Sequence, residues 1–368
     1  MKKKLLSVLL AAVMVTGITG CATSNQTSGP ASGEEASSEA PAEDEKSSIT
    51  AVEPRKLEGP VKMAFVDAGM NTYYSLVLAG CREQLERYGG EEVGTIDVYS
   101  PTSTTKMVEE QISFLEALLQ DDELDVLFFS THNDTEFVPY LEQFCEKGVS
   151  VYLFNMPAQD ASNGTYVSLV SYDFEDAGRK MGEWIKENVC TQLDEVKMLY
   201  LEGVEGSHNT IRGNGFKEGI EGADNFEIVV SQSGSWTRDG GQTVTENAIQ
   251  SNPEINVVYG PYDEMPLGAI VALRDAGKLE DTIVCGYDCT EDGLAAIRAG
   301  EMAASVNTDA KQMGNHMIDA VVAHDIEGKE VDKEIFNELV VIDSTNESTI
   351  PDDNYGYVEQ TKSLEIER

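Results

Sequence analysis

The stretch VVYGPYDEMPLGA at residues 257–269 decides the fold class. Its first three residues are β-branched or aromatic and favour a short buried strand, whereas residues 266–276 have the pattern of an amphipathic helix. The loop between them carries Tyr262 and Asp263. Because ligands of open α/β sheets bind outside the carboxyl ends of the strands, this loop lies where a binding site is expected.

The same alternation of short apolar runs and amphipathic segments continues in both directions from this stretch, starting at Val61. It is typical of parallel sheets covered by helices, so we predict an α/β protein with two Rossmann-like lobes. The elements predicted for the first lobe are strands 61–67, 95–99, 125–130 and 149–155 and helices 73–88, 105–119 and 135–147. Those predicted for the second lobe are strands 196–201, 226–231, 257–259 and 283–287 and helices 175–188, 209–221, 241–250, 266–276 and 291–299.

The end of the chain departs from this order. After an apolar run at 302–306, a long helical stretch at 311–324 is followed by a strand pattern at 339–342, too late for the sequential order of either lobe. We therefore predict a hinge in which the chain crosses between the lobes more than once. The predicted boundaries are 61–171 with 309–328 for the N-terminal lobe, 172–308 with 329–345 for the C-terminal lobe, and 346–368 for a C-terminal tail.

The first 60 residues indicate export and anchoring. Lysines 2–4 precede an apolar run at 5–15 that is shorter than the roughly 20 residues of a membrane-spanning helix, so residues 1–20 are predicted to be a signal peptide. Ile18-Thr19-Gly20-Cys21 resembles the lipobox of bacterial lipoproteins, which implies that Cys21 carries fatty acyl chains such as palmitate. Residues 21–60 are dominated by small, polar and acidic residues and are predicted to be a disordered tether. An ordinary signal peptide with a chance Cys is the alternative.

Composition limits the possible partners. The chain has 66 acidic and 26 basic residues, a formal net charge of -40 that repels nucleic acid and anionic lipid. We therefore expect no nucleic-acid partner, and contact with the membrane only through the lipid anchor. If Cys21 is lipidated, the five remaining cysteines cannot all pair, and Cys285-x-x-x-Cys289 lacks a second ligand pair at metal spacing.

The motifs of surface hydrolases are absent from the sequence. It contains no G-x-S-x-G, H-E-x-x-H or G-x-x-x-x-G-K-[ST] pattern. Four histidines (His132, His208, His316 and His324) leave little for acid-base catalysis. We predict a protein that is not an enzyme and needs no cofactor or metal.

The loops after the predicted strands pair aromatic rings with planar polar side chains. They are Asn71-Thr72-Tyr73-Tyr74, Phe154-Asn155-Met156-Pro157, Gly234-Ser235-Trp236-Thr237, Pro261-Tyr262-Asp263-Glu264 and Gly286-Tyr287-Asp288. Taken singly, such residues are more often structural. Together they suit a sugar, because aromatic faces pack against its C–H patches while Asn, Asp and Arg bind neighbouring hydroxyls at two points.

Three stretches carry further motifs: VVYGPYDEMPLGA at 257–269, IVCGYD at 283–288 and RGNGF at 212–216. They are similar, in that order, to the N-D-x-M-A-x-G-A segment, the V-x-G-x-D strand end and the R-x-x-G-F helix start of the sugar-type periplasmic-binding-protein family, the ribose- and galactose-binding branch of ATP-binding-cassette (ABC) importers. The resemblance covers nearly everything from Val61 to Ile342. It implies a type I periplasmic-binding-protein fold, a monomer that captures a small sugar between its lobes, and an ABC permease as partner.

The resemblance also implies roles for single residues of the first lobe. Asn71 falls at the family's polar contact, and Tyr73 and Tyr74 fall at its stacking aromatics. Asn155 falls where galactose-type members place an Asn and ribose-type members an Asp. Met156 replaces the Arg or Lys that usually follows it.

In the second lobe, Arg212 matches the Arg that binds sugar oxygens, Trp236 the stacking aromatic and Asp288 the carboxylate that accepts sugar hydroxyls. His208 lies near a ligand position of galactose-type members, at a different spacing from Arg212. Two further candidates depart from the pattern: Tyr262 replaces the usual Asn, and Thr308 stands where Asn or Gln is expected.

These departures leave the ligand open. A nucleoside, a polyol or a furanosyl signal molecule remains possible beside an aldose, and a surface sensor would share the same residues. The lobes also occur in sugar-responsive repressors, but here a lipobox and tether stand in place of a DNA-binding headpiece.

Overall fold

Two six-stranded sheets, each the centre of one lobe, account for the alternation of strands and helices. The computed structural model describes residues 51–103, 106–132, 136–158, 165–351 and 354. The strands within these residues are β1 (Val61–Val66), β2 (Gly94–Tyr99), β3 (Val126–Phe129), β4 (Ser150–Phe154), β5 (Ser168–Ser171), β6 (Val196–Glu202), β7 (Phe226–Ser233), β8 (Val257–Tyr259), β9 (Ile283–Asp288), β10 (Ala304–Asn307), β11 (Glu334–Phe336) and β12 (Val340–Asp343). The α-helices are α1 (Thr72–Tyr88), α2 (Met107–Leu118), α3 (Val138–Glu146), α4 (Phe174–Asn188), α5 (Ser207–Ile220), α6 (Arg238–Ser251), α7 (Glu264–Asp275), α8 (Glu291–Arg298) and α9 (Ala310–Val321).

The sheet of the first lobe is parallel throughout and has the order β11-β5-β4-β3-β1-β2. Its strands β3, β4 and β5 are buried along their whole length. Alternate residues of β1 belong to two separate apolar clusters, with Phe65 in one and Val66 in the other. Both faces of this sheet are therefore covered, as parallel sheets require.

The sheet of the second lobe has the order β12-β10-β9-β8-β6-β7. Its pairs are parallel except for β10 with β12, which is antiparallel. In each lobe the carboxyl ends of the parallel strands share one edge of the sheet. The loops after those strands are thereby brought together at that edge.

Three connections cross between the lobes. The chain passes to the second lobe after β5, where α4 packs against α5, and returns after β10, where α9 packs against α1. It crosses again between β11 and β12. Of the range 329–345 predicted for the C-terminal lobe, β12 does pair with β10 of the second lobe, but β11 pairs with β5 of the first lobe, so the boundary is corrected there. β11 has only three residues, too few to show an alternation of apolar and polar side chains in the sequence. β5 has only four and could not be predicted for the same reason.

The segment before β1 packs on the first lobe, although it was predicted to belong to the tether. Arg55 Nε donates to Asp325 Oδ1 at 2.7 Å, and its terminal nitrogens donate to the backbone oxygens of Gly148 and Asp125. The backbone N–H of Leu57 donates to Asp325 O at 2.8 Å. These contacts make residues 55–57 part of the lobe.

Several predicted features fall outside the described residues: the signal peptide, Cys21, most of the tether and nearly all of the tail after residue 351. Within the described residues, no disulfide joins the cysteines. The same residues contain no group of three or more His, Cys, Asp or Glu side chains suited to a metal ion. None of their helices is both long enough and apolar enough to cross a membrane.

Candidate ligand-binding site

The first turn of α1 follows the carboxyl end of β1 and carries two buried tyrosines. Asn71 is the N-cap of this helix, and its Oδ1 accepts from the backbone N–H of Tyr74 at 3.0 Å. Tyr73 and Tyr74 are only 4% and 1% exposed. Asn71 itself is exposed, so its carboxamide oxygen fixes the start of the helix and thereby positions both rings.

Tyr74 is joined to the ends of two further strands. Its hydroxyl lies 3.0 Å from Ser130 Oγ, after β3, and accepts from Asn155 Nδ2, after β4, at 3.3 Å. Burial raises the pKa of Tyr74 to about 12, so the phenol is neutral. Asn155 has a left-handed backbone (φ 48°), and its Oδ1 is buried without a partner among the described residues. An amide acceptor is thereby left at this edge of the first lobe.

Met156 is placed differently from the other candidates. Its side chain is 3% exposed and belongs to the apolar cluster that contains Leu153 and Leu169 of the first sheet. Its backbone oxygen accepts from Ser171 Oγ at 2.8 Å. The structure therefore packs Met156 in the lobe core, apart from the aromatic side chains between the lobes.

Arg212, on α5, is held rigidly between aromatic rings. Its Nη1 donates to Pro261 O at 2.8 Å, and its Nη2 donates to the hydroxyl of Tyr172. Four rings surround its Cζ, with their centroids at 4.5 Å (Tyr287), 4.8 Å (Phe174), 5.5 Å (Trp236) and 5.9 Å (Tyr172). Such cation–π contacts favour the charged guanidinium, whose Nε has no partner among the described residues.

The charge of Arg212 is secured by its neighbours. Burial alone would lower the pKa of Arg212, but Tyr172, Tyr287 and Asp288 raise it above its ordinary value. A buried and permanently charged donor is thereby fixed in one orientation. This is the kind of group that binds the oxygens of a polar ligand.

Tyr172 contacts Arg212 but could not be selected from the sequence. It lies at the first crossing between the lobes, and its ring stacks on Phe174 with centroids 4.3 Å apart and an interplanar angle of 7°. It directly follows β5, the strand that was not predicted. Tyr287 lies in one of the aromatic loops but is not among the predicted site residues, although its ring is the closest of the four to Arg212.

Trp236 borders the same cluster. It has a left-handed backbone (φ 59°), and its half-buried ring lies edge-on to Tyr262 with centroids 6.4 Å apart. A Cβ on Gly203 would lie 1.9 Å from this ring, so only glycine at that position allows the indole to lie so close to the backbone. Tyr262 is 4% exposed, and burial raises its pKa well above the ordinary value, so it is a neutral phenol.

Asp288, at the end of β9, is the buried carboxylate of the cluster. Its Oδ1 accepts from Thr308 Oγ1 at 3.0 Å. Burial raises the pKa of Asp288 to about 6, although Arg212 and the Thr308 hydroxyl both act to lower it. At neutral pH the group is therefore an ionised acceptor, and Thr308 serves as its partner.

His208, in the first turn of α5, joins the two lobes directly. Its Nε2 lies 2.9 Å from Asn155 O, and both residues are 5% exposed. Its ring lies edge-on to His132 of the first lobe, with centroids 4.7 Å apart. Burial, then His132 and Arg212, lower the pKa of His208 well below its ordinary value, so the imidazole is neutral.

Asp263, noted in the opening sequence stretch, braces the loops of the second lobe. It accepts from the backbone N–H groups of Tyr287 at 2.8 Å and Thr290 at 2.6 Å, and from Ser305 Oγ at 2.8 Å. Burial raises its pKa to about 7, against the effect of the Thr290 bond. Its oxygens are committed to the protein, so its role here is structural.

A family model described as "periplasmic binding protein domain" matches residues 64–330 of the chain. The chain belongs to this family. It is 33% identical over 184 residues to the ribose import binding protein RbsB of Haemophilus influenzae, covering 50% of this chain and 60% of that relative. The match thus spans less than two thirds of the relative's length.

Two solved structures resemble this periplasmic binding protein. The D-allose-bound ABC transporter periplasmic solute binding protein of Actinobacillus succinogenes 130z has a TM-score of 0.70 and 20% identity, covering 79% of this chain and 100% of that one. A Mycobacterium smegmatis protein in complex with β-D-fucofuranose has a TM-score of 0.69 and 26% identity, covering 81% and 97%. These likenesses confirm the predicted fold of two α/β lobes.

Most of the predicted candidates in this periplasmic binding protein meet between the lobes. Tyr73 of the first lobe lies close enough to Asp288 and Arg212 of the second for their charges to act on its pKa, which burial raises well above its ordinary value. The other candidates linked to this cluster by the contacts above are Tyr74, Asn155, His208, Trp236, Tyr262 and Thr308. Asn71 acts through the helix cap, and Met156 lies in the core.

Proposed function

We propose that this protein is an extracytoplasmic receptor that encloses a small, polyhydroxylated, sugar-like ligand between its lobes and delivers it to an ABC permease. It acts by binding and carries out no chemical step. Ligand binding favours the closed arrangement to the extent that the ligand contacts both lobes at once.

The observation that carries this proposal is the environment of the Arg212 guanidinium. A charged donor held among four rings, with the carboxylate of Asp288 acting on it, offers the mixture of flat apolar faces and charged hydrogen-bonding groups that a sugar needs. In this proposal Arg212 donates to sugar oxygens, Asp288 accepts from hydroxyls and Trp236 packs against the ring.

The first lobe supplies the complementary half of the site. Asn155 Oδ1 is an unpartnered acceptor, and Tyr73 and Tyr74 are fixed aromatic side chains beside it. The names of the relatives support a sugar: ribose, D-allose and β-D-fucofuranose are all small polyhydroxylated rings.

We further propose that the protein is held at the outer face of the cell membrane through lipid on Cys21. The lipobox-like residues 18–21 and the tether after them support this anchor. A fatty-acid probe should label the wild type but not Cys21→Ala, and equal labelling of both would exclude the anchor.

A thermal-shift screen tests the binding function. The panel contains aldopyranoses, furanosides, polyols and nucleosides, each added to the full chain. A ligand at 100 times its dissociation constant should stabilise the protein by about 2.7 kcal/mol. A shift from a sugar that becomes clearly smaller in an Arg212→Lys variant at the same sugar concentration supports the proposal. Shifts from nucleosides alone, or from nothing in the panel, would contradict the sugar assignment.

A further inference from the structure

One hydrogen bond joins a histidine of the second lobe to the ligand-facing residue of the first. His208 Nε2 lies 2.9 Å from Asn155 O. A backbone carbonyl can only accept, so Nε2 carries the hydrogen and donates it. The two residues lie on different lobes, and this bond can therefore form only when the lobes are closed.

Asn155 is the residue that benefits from this bond. Its backbone is left-handed, its Nδ2 donates to Tyr74, and its Oδ1 is left as an acceptor. A donor on its carbonyl fixes the peptide whose side chain faces the ligand. We propose that His208 is a positioning residue that latches Asn155 when the lobes close, and that it does so only as a neutral imidazole. The inference rests on the proposed ligand-binding function.

The requirement for a neutral ring follows from what surrounds it. The groups that face His208 are the ring of His132 after β3, the ring of Phe174 at the start of α4 with its centroid at 5.0 Å, Arg212 on α5, and Asn155 after β4. Two of these can carry positive charge. Among the described residues, no carboxylate acts on either histidine.

Protonation would leave the Nε2–H bond intact but would bury a cation beside Arg212. The bond to Asn155 O favours the protonated ring, yet burial and the two positive neighbours outweigh it, and the pKa of His208 lies well below its ordinary value. Burial and Arg212 likewise lower the pKa of His132 to about 4. Closing the lobes at acid pH therefore requires these rings to release protons.

The sign and size of the effect follow from linkage. In an open form with water around it, His208 should have a pKa of about 6.5. Because the pKa of His208 is lower in the closed form than in the open form, closure is fully favoured above about pH 6.5. Closure becomes less favourable as the pH falls below the open-form pKa. Between pH 7.5 and 5.5, His208 alone should weaken ligand binding about 10-fold.

Two substitutions separate the latch from other roles. His208→Leu removes the donor and should weaken binding about 5-fold at pH 7.5, by the same factor for every ligand and through faster dissociation. His208→Gln keeps a neutral N–H donor, so it should bind like the wild type at pH 7.5. At pH 5.5 it should lack the roughly 10-fold loss of affinity that protonation of His208 causes in the wild type. His316→Gln is the matched control, because His316 is half-buried on α9 and bonds to the amides of Gln312 and Asn337. The His316→Gln variant should keep the wild-type pH dependence of ligand affinity.

Stopped-flow binding at both pH values, with at least three ligands from the screen, gives these constants. A loss that differs from ligand to ligand would identify His208 as a direct ligand contact and overturn the latch. A His208→Gln protein that keeps the wild-type pH profile would overturn it as well.

A second measurement follows the ring itself. The chain has four histidines, so nitrogen-15 NMR of labelled histidine gives a simple spectrum. We expect the His208 ring to titrate near pH 6.5 in the free protein and to stay neutral, with Nε2 protonated, from about pH 7.5 to 5.5 when a ligand from the screen is saturating. Titration near pH 6.5 with the ligand bound would overturn the latch and leave the proposed function standing. A ring that stays neutral with a bound nucleoside, in a protein that binds no sugar, would overturn only the proposed function.

Discussion

Thr308, at the second crossing between the lobes, donates its hydroxyl to Asp288 Oδ1 at 3.0 Å. The backbone oxygen of Thr308 in turn accepts from Asn337 Nδ2 at 2.9 Å, and Asn337 directly follows β11. The buried carboxylate of the site is therefore connected to two of the three hinge connections.

Asp288→Asn should bind the ligand more weakly and yet be more stable than the wild type. The pKa of Asp288 is raised to about 6, so the folded protein resists its ionisation above that pH. This penalty disappears as the pH falls towards the ordinary carboxyl value. At pH 7.5 the variant should therefore gain ~1 to 3 kcal/mol in the free energy of unfolding, and at pH 4 almost nothing. Urea unfolding at both pH values measures the gain, and an equal or lower stability at pH 7.5 would count against it.

Gly178→Ala should destabilise the second lobe and disturb Arg212. A Cβ at this position would lie 2.1 Å from Arg212 O, because α4 and α5 touch through the glycine. Overpacking of this kind typically costs ~1 to 3 kcal/mol. Glu187→Ala, at an exposed position on the same helix, is the control and should change stability by less than about 0.5 kcal/mol. If both variants had the same midpoint of urea unfolding, α4 and α5 would accommodate the added methyl group without cost, and the prediction would be wrong.

The motifs that could be predicted from sequence are those contained in one continuous stretch. Arg212 on α5, Trp236 in the loop after β7 and Asp288 at the end of β9 each follow or end a strand with a clear apolar pattern. Tyr172 could not be predicted in the same way, because its contact with Arg212 joins positions 40 residues apart and its own strand, β5, has only four residues.

The organisation of the hinge was harder to predict than the lobes. Three crossings follow from pairing between strands that are distant in sequence, and a three-residue strand such as β11 has no periodicity of its own. The packing of Arg55 on Asp325 could not be predicted either, because composition alone makes the segment before Val61 look like the tether.

Arg212→Lys should lose ligand affinity although the positive charge is kept. A lysine ammonium cannot bond to Pro261 O and Tyr172 at once, nor lie flat among the four rings. The loss of one or two charged hydrogen bonds corresponds to a dissociation constant about 10- to 100-fold higher. Arg179→Lys, on α4 beside Asp176 and Glu183, is the control for the same chemical change at the surface. It should leave the calorimetric dissociation constant unchanged, and equal losses in both variants would contradict the site.

Asp325→Asn should lower stability at neutral pH and make less difference in acid. Burial would raise the pKa of Asp325, but hydrogen bonds from His324, Ser150 and Tyr152, and the charge of Arg55, lower it. A lowered pKa means that the carboxylate stabilises the fold above about pH 4, and that this contribution is lost as the pH falls through the folded value. The difference between wild type and variant in thermal unfolding should therefore shrink below pH 4. A difference that is constant down to pH 3 would exclude this account of the Arg55 contact.

The central claim is that one ligand touches both lobes, and calorimetric titration of a variant from each lobe tests it most directly. Asn155→Gly removes the first-lobe amide while tolerating the left-handed backbone, and Trp236→Ala removes a ring of the second lobe. With the ligand found in the screen, we predict that each folded variant binds at least about 5-fold more weakly than the wild type. An unchanged dissociation constant for either one would mean that its lobe takes no part in binding, and would contradict the account.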